Sequence, residues 1–123
     1  MDRVLVIDDE DAIADALQEL LSWAGFEVAL AADGEKGLVE LAAWHPQVVL
    51  LDYMMPVMDG LTMLRRLRAH PDWHGLPVVL MSAAPLSGVQ GTELADVLLR
   101  KPFDSGEVLN TLRQLLDRVD GGA

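Results

Sequence analysis

The stretch that decides the fold is QVVLLD, residues 47–52. This almost unbroken apolar run ends in a carboxylate, and such runs are typical of a strand buried on both faces of a parallel sheet. Two further runs, Val4–Ile7 and Pro77–Met81, have the same character. Weaker runs at Phe26–Ala31 and Asp96–Leu99 predict two more strands. The sequence therefore predicts five short strands.

Apolar residues at helical spacing lie between and after these runs. Four clear patterns predict helices, and they span Ile13–Leu21, Leu38–Ala42, Leu61–Leu67 and Val108–Val119. The first pattern stops at Gly25, which suits a helix C-terminus. Asp104 and Glu107 form a capping arrangement before the last one. The segment Pro85–Leu94 contains two glycines and predicts only a short or irregular helix after the fourth strand.

This alternation of strands and helices predicts an α/β fold. We expect a single doubly wound, five-stranded parallel sheet flanked by helices on both faces. The 123 residues match one domain. We expect that domain to cover residues 1–119, with residues 120–123 (Asp-Gly-Gly-Ala) as a C-terminal tail or the stub of a linker.

The composition excludes several classes of function. Twenty acidic residues against nine basic ones give a net charge of −11. Such a surface repels phosphate backbones and anionic membranes, so we expect no nucleic-acid or membrane binding by this domain. The absence of cysteine excludes disulfides and zinc-thiolate sites. The apolar runs are too short to span a bilayer and the N-terminus is unlike a secretory signal, which together predict a cytoplasmic location.

Polar side chains follow the predicted strands at the edge where ligands bind in open parallel sheets. Asp8 and Asp9 follow the first strand, Asp52 ends the third, Ser82 follows the fourth and Lys101 follows the fifth. Each alone has an ordinary explanation, such as a helix-capping acid, a turn acid or a solvated lysine. Their joint placement predicts a site.

Three carboxylates at one edge repel one another and call for a compensating charge. Oxygen ligands with open positions suit Mg²⁺, which also accepts phosphate oxygens. An ionised aspartate beside Mg²⁺ and a lysine can attack a phosphoryl group, and the positive charges and a hydroxyl then stabilise the transferring oxygens. The residues thus predict phosphoryl chemistry at an aspartate.

Four motifs in this order resemble one family closely. They are Asp8-Asp9-Glu10, LLDYMMPVMDG at residues 50–60, Met81-Ser82-Ala83 and Lys101-Pro102-Phe103. The chain resembles, over essentially its whole length, the receiver domain of response regulators in two-component signalling (CheY-like). The resemblance implies a flavodoxin-like fold with strand order 2-1-3-4-5. It also implies a phosphoacceptor function, with a sensor histidine kinase or phosphotransfer protein as phosphodonor in a two-component system or phosphorelay.

The resemblance assigns a metal site. Asp52 is the expected phosphoacceptor and also a ligand of Mg²⁺. Asp9 is the expected direct ligand, Asp8 the ligand that acts through water, and Met54 the donor of a backbone carbonyl.

The resemblance also assigns the residues around the phosphoryl group. Lys101 pairs with it, and Ser82 is the switch hydroxyl. The Lys101–Pro102 bond is expected to be cis. Pro56 fixes the turn after the phosphoacceptor, and Gly60 permits a tight turn into the third helix.

Three positions bear on output and on the lifetime of the phosphoryl group. Leu98 stands where the family usually has the aromatic switch residue, and Ala83 follows the switch serine, so the usual ring motion is absent. The side chain of Met54 lies on the expected path of attacking water, which predicts slow loss of the phosphoryl group.

Two other readings stay open. One is a Mg²⁺-dependent phosphatase or phosphotransferase that forms an aspartyl phosphate, although 123 residues leave little room for a substrate pocket. The other is a vestigial, interaction-only domain. We expect a signalling module rather than an enzyme, with no catalysis beyond its own phosphotransfer and autodephosphorylation. The downstream effector is not identified by the sequence, and homodimerisation is left open.

Overall fold

The structure is a computed structural model that describes the backbone of residues 1–121 and the side chains of residues 1–117. Five strands alternate with helices. The strands are β1 (Arg3–Ile7), β2 (Glu27–Ala31), β3 (Val48–Asp52), β4 (Val78–Ser82) and β5 (Val97–Arg100). The helices are α1 (Asp11–Trp23), α2 (Gly34–Trp44), α3 (Gly60–Ala69) and α4 (Ser105–Gly121).

The strands form one parallel sheet in the order β2-β1-β3-β4-β5. This order confirms the predicted flavodoxin-like topology. In the register, Val4 of β1 lies beside Val28 on one side and Val48 on the other. Every residue of β3 and β4 is buried, as their unbroken apolar sequences predict.

The two faces of the sheet carry two separate layers of core. Leu5, Ile7 and Leu51 belong to the layer that contains the apolar residues of α2 and α3. Val6 and Leu50 belong to the layer that contains those of α1 and α4. Because successive strand residues point to opposite faces, each apolar strand supplies both layers, which makes the sheet doubly wound.

The helix ends follow the predicted signals. Gly25 has a φ of 99° directly after the C-cap of α1, where a left-handed conformation favours glycine. At the start of α4, the Glu107 backbone N–H donates to Asp104 Oδ1 at 2.8 Å, and the Asp104 N–H donates to Glu107 Oε1 at 3.3 Å. The two residues form the predicted reciprocal cap. The side chain of Val119 and the whole of residues 122–123 lie outside the described part of the structure. The predicted end of the domain at residue 119 therefore stays a prediction.

The connection between β4 and β5 contains only a single 3-10 turn, Thr92–Leu94. This confirms the expected short or irregular element. Arg68 of α3 fastens the connection, since its guanidinium donates to the carbonyls of Leu94 at 2.8 Å and Leu76 at 2.7 Å and pairs with Asp96 at 3.0 Å. One half-buried side chain thus ties α3 to the chain before β4 and before β5.

No helix among the described residues is long and apolar enough to cross a membrane.

Candidate functional site

Four strand ends meet at the carboxyl edge of the sheet. Asp8 follows β1, Asp52 is the last residue of β3, Ser82 the last of β4, and Lys101 follows β5. Asp8, Asp52 and Ser82 are the buried polar residues of the described chain, with exposures of 1%, 3% and 2%. Such burial requires partners, because an unpaired buried polar group is costly.

Lys101 supplies the charge that holds this edge together. Its Nζ donates to Asp8 Oδ2 at 3.0 Å and to Asp52 Oδ1 at 3.1 Å. It also lies 3.7 Å from Glu10 Oε1. One ammonium group therefore faces three carboxylates, and the site retains excess negative charge.

This geometry shifts two ionisation equilibria. Burial raises the pKa of Asp52 from 3.8 to about 6 against the opposing effect of its hydrogen bond to Lys101, and the negative charges of Asp8 and Asp9 raise it further. Burial lowers the pKa of Lys101, but its hydrogen bonds to Asp8 and Asp52 outweigh that effect and leave it above its ordinary value. The lysine is therefore charged, and Asp52 is ionised at neutral pH at a cost in free energy.

The carboxylate that lies with Asp8 and Asp52 is that of Glu10. Oxygen atoms of these three residues lie within 4.8 Å of one another, the one such group within the described part of the chain. Asp9 is exposed, although its charge still raises the pKa of Asp52. The sequence alone predicted no role for Glu10. The residue is the N-cap of α1, a position at which glutamate is not preferred, and an acid that does not cap the helix could have pointed to the site.

The donor set fits a hard cation. It consists entirely of carboxylate oxygens, two of them on buried side chains, which is the chemistry that Mg²⁺ prefers.

The loop from β3 to α3 is held by backbone contacts. The Gly60 N–H donates to the Tyr53 carbonyl at 2.9 Å, which closes the loop. A Cβ at Gly60 would lie 2.4 Å from the Asp52 carbonyl oxygen, so glycine is required there for close approach of backbone. Gly60 was expected to give the backbone freedom for a tight turn. The structure shows that its lack of a side chain is what the loop requires, because a Cβ would collide with the Asp52 carbonyl.

Pro56 lies in the turn of the same loop, as expected. Its carbonyl accepts the Met58 N–H at 2.7 Å, which makes Val57 the centre of a γ-turn with a φ of 70°. This conformation is strained for a β-branched residue. The Val57 side chain is exposed, and so is that of Met54.

The Ser82 hydroxyl is bonded within its own loop. Its Oγ donates to the Ala84 carbonyl at 2.8 Å and accepts the Ala84 N–H at 3.1 Å. A hydrogen bond from Ser82 to a phosphoryl oxygen would therefore replace the bond to the Ala84 carbonyl.

The remaining predicted positions lie around this edge. The Lys101–Pro102 bond is cis, as predicted. Ala83 is exposed and lines a cleft with Lys101. Leu98 is 48% exposed on β5. It lines a separate cavity of about 420 Å³ beside the connection between β4 and β5.

The family model of the response regulator receiver domain matches residues 4–113. The chain belongs to this family. RpaA of Synechocystis sp., a DNA-binding dual master transcriptional regulator, is 39% identical over 98% of this chain and 51% of its own length. The response regulator MprA of Mycolicibacterium vanbaalenii is 40% identical over 98% of this chain and 54% of its own.

A solved structure with the same architecture is the response regulator TrrA from Thermotoga maritima in complex with Mg²⁺-BeF. It has a TM-score of 0.86 and 28% identity, and the match covers 94% of this chain and 99% of that one. The predicted family, fold and receiver function are confirmed.

The chain spans about half the length of the curated relatives that it matches. The expectation of no nucleic-acid binding is not supported by these relatives, because RpaA is named as a DNA-binding regulator. The net negative charge that disfavours phosphate backbones belongs to these 123 residues alone, and a further domain of a longer protein need not share it.

Proposed function

We propose that this receiver domain accepts a phosphoryl group on Asp52. The observation that carries the proposal is the Asp52 carboxylate, buried at the end of β3 and 3.1 Å from the Lys101 ammonium. A pKa of about 6 leaves the carboxylate ionised at neutral pH, as a nucleophile must be. Burial also leaves this nucleophile poorly solvated, which raises its reactivity toward phosphorus.

In the proposed step, an Asp52 oxygen attacks phosphorus and forms a new O–P bond. The bond between phosphorus and the donor breaks, its electron pair leaves with the donor, and the donor takes a proton from solvent. With a phosphohistidine donor the breaking bond is N–P. The nearby Lys101 ammonium stabilises the negative charge on the transferring oxygens.

The family resemblance and the oxygen-rich edge support a Mg²⁺ site. Asp9, Asp52 and the Met54 carbonyl are the proposed ligands, and Asp8 holds the ion through water. The cation supplies charge neutralisation between the carboxylates and the phosphoryl oxygens. Asp9 is exposed, so its proposed role requires its side chain to turn toward the site.

After transfer, Ser82 and Lys101 are the proposed partners of the phosphoryl group. The bond from the Ser82 hydroxyl to the Ala84 carbonyl is the contact that must break. Because Leu98 replaces the aromatic switch residue, we propose that the signal leaves through the Ser82–Ala84 loop and the exposed Ala83 rather than through a ring motion.

The proposed phosphodonor is a sensor histidine kinase or a phosphotransfer protein in the cytoplasm. The receiver then acts as a signalling module, and its own phosphotransfer and autodephosphorylation are its only proposed chemistry.

The test is incubation with Mg²⁺ and acetyl phosphate, followed by intact-protein mass spectrometry. We expect one added phosphoryl group that depends on Mg²⁺, is absent in Asp52→Ala and is retained in the surface control Asp117→Ala. Rapid multiple turnover of phosphomonoesters would favour the phosphatase reading instead. An absence of adduct with every donor would favour the vestigial, interaction-only reading.

A further inference from the structure

Glu10 is the one acidic residue of this edge whose side chain is both exposed and close to the Lys101 ammonium. Its Oε1 lies 3.7 Å from Nζ, and 60% of its side chain is exposed. The two other carboxylates on that ammonium, those of Asp8 and Asp52, are buried. Glu10 therefore occupies the solvent side of the ion cluster, where an incoming group must pass.

The side chain of Glu10 does not cap α1. The residue is the N-cap, but its side chain accepts no capping hydrogen bond. Its backbone alone is used, since its N–H donates to Asp8 Oδ1 at 2.9 Å and its carbonyl accepts the N–H of Ala14 at 3.0 Å. The backbone is thus fixed by Asp8, while the exposed carboxylate is placed beside Lys101 by an ion pair of 3.7 Å.

We infer that Glu10 is a specificity-determining residue, a charge gate that disfavours phosphorylation of Asp52 by small, free phosphate donors. This inference rests on the proposed phosphoacceptor function. Before transfer, the donor's phosphoryl oxygens must approach Lys101, which the Glu10 carboxylate already contacts. The donor must displace that carboxylate and enter its field, and the energetic cost rises with the donor's own negative charge.

If Glu10 acts as a charge gate, removing its charge with Glu10→Gln makes the phosphorylation of Asp52 faster. A role for Glu10 as a required ligand of the cation predicts the opposite, because the loss of a ligand slows the reaction. The magnitude follows from Coulomb's law in water over roughly 5 Å, reduced by screening at about 0.1 M ionic strength, and amounts to about fivefold for a dianionic donor and about twofold for a monoanionic donor.

The experiment compares initial phosphorylation rates of the wild-type chain and three variants at saturating Mg²⁺. Acetyl phosphate serves as the dianionic donor and phosphoramidate as the less charged one. Glu10→Gln removes the charge, and Glu10→Asp keeps it. Glu19→Gln makes the same charge change at an exposed site of the same helix, roughly 13 Å along its axis.

We expect Glu10→Gln to react about fivefold faster with acetyl phosphate and about twofold faster with phosphoramidate. Glu10→Asp and Glu19→Gln should stay within about 1.5-fold of wild type at about 0.1 M ionic strength, since one keeps the charge and the other lies beyond a Debye length. Raising the salt concentration should narrow the difference between wild type and Glu10→Gln.

Equal or slower reaction of Glu10→Gln with acetyl phosphate overturns the inference. Equal acceleration in Glu19→Gln also overturns it, because the effect would then belong to the overall charge of the chain. In both cases an Asp52-dependent adduct on the wild-type protein leaves the proposed function standing. If the wild-type protein forms no adduct, both proposals fail.

Discussion

The raised pKa of Asp52 predicts that replacing this residue by asparagine stabilises the fold at alkaline pH. Burial holds the pKa of Asp52 at about 6 in the folded chain, against an ordinary value of 3.8. A carboxyl group that is harder to ionise in the folded state favours folding only while it is protonated. Its contribution is fully present below pH 3.8 and is lost as the pH rises through about 6.

The size of the effect follows from that difference in pKa. At about 1.4 kcal/mol for each pKa unit, ionised Asp52 costs roughly 3 kcal/mol of folding free energy. Asparagine has nearly the same shape and carries no charge, so Asp52→Asn escapes this cost. For a domain of this length, a gain of this size raises the Tm by about 10 °C.

The assay is urea unfolding of wild type and Asp52→Asn at several pH values from 4 to 8, in buffer that contains a chelator. Taking the difference between the two proteins cancels the titration of every other group. We expect a difference close to zero near pH 4 that grows to about 2–3 kcal/mol at pH 8. Asp117→Asn, a change at an exposed aspartate, should remain within about 0.5 kcal/mol of wild type throughout.

Mg²⁺ provides an internal check, because a ligand that binds the folded state stabilises it. Adding Mg²⁺ at pH 8 should raise the stability of wild type more than that of Asp52→Asn. A pH-independent difference, or an asparagine variant less stable than wild type at pH 8, would refute the reasoning, because burial would then not be working against the charge of Asp52.

Three further changes test the loop after Asp52. Gly60→Ala should lower the free energy of unfolding in urea by about 3 kcal/mol, because its Cβ would lie 2.4 Å from the Asp52 carbonyl oxygen. A variant as stable as wild type would mean that α3 can shift to make room for the Cβ. Val57→Gly should raise stability by about 1 kcal/mol by relieving a φ of 70° at an exposed side chain, and a lower Tm would show that the turn is unstrained. Met54→Asn should shorten the lifetime of phosphorylated Asp52, because we propose that the exposed Met54 side chain hinders attacking water and that asparagine hinders it less. Mass spectrometry after donor removal measures this lifetime, and an unchanged decay rate would contradict the proposal.

The sheet could be predicted because its signals are local. Three nearly continuous apolar runs indicated strands buried on both faces, and polar residues directly after the strands marked the edge where Asp52 and Lys101 meet. Gly25 and the reciprocal cap of Asp104 and Glu107 are also encoded within a few residues. Such features need no knowledge of distant contacts.

The features that the sequence did not predict depend on distant contacts or on a single torsion angle. Which acid lies beside Asp52 is decided by the direction in which the chain enters α1, and this places Glu10 rather than Asp9 in the cluster. Arg68 joins segments that are far apart in sequence, so its role emerges only after folding. The left-handed φ of Val57 contradicts the local preference of valine and is imposed by the closed loop.

Chemical mapping of the phosphorylated residue tests the central claim most directly. The protein is treated with acetyl phosphate and Mg²⁺ and then with borohydride, which reduces an aspartyl phosphate to homoserine, and the peptides are sequenced by mass spectrometry. The account predicts homoserine at position 52 and at no other aspartate. Homoserine at Asp8 or Asp9, or a stable phosphoryl group on a hydroxyl such as that of Ser82, would contradict it.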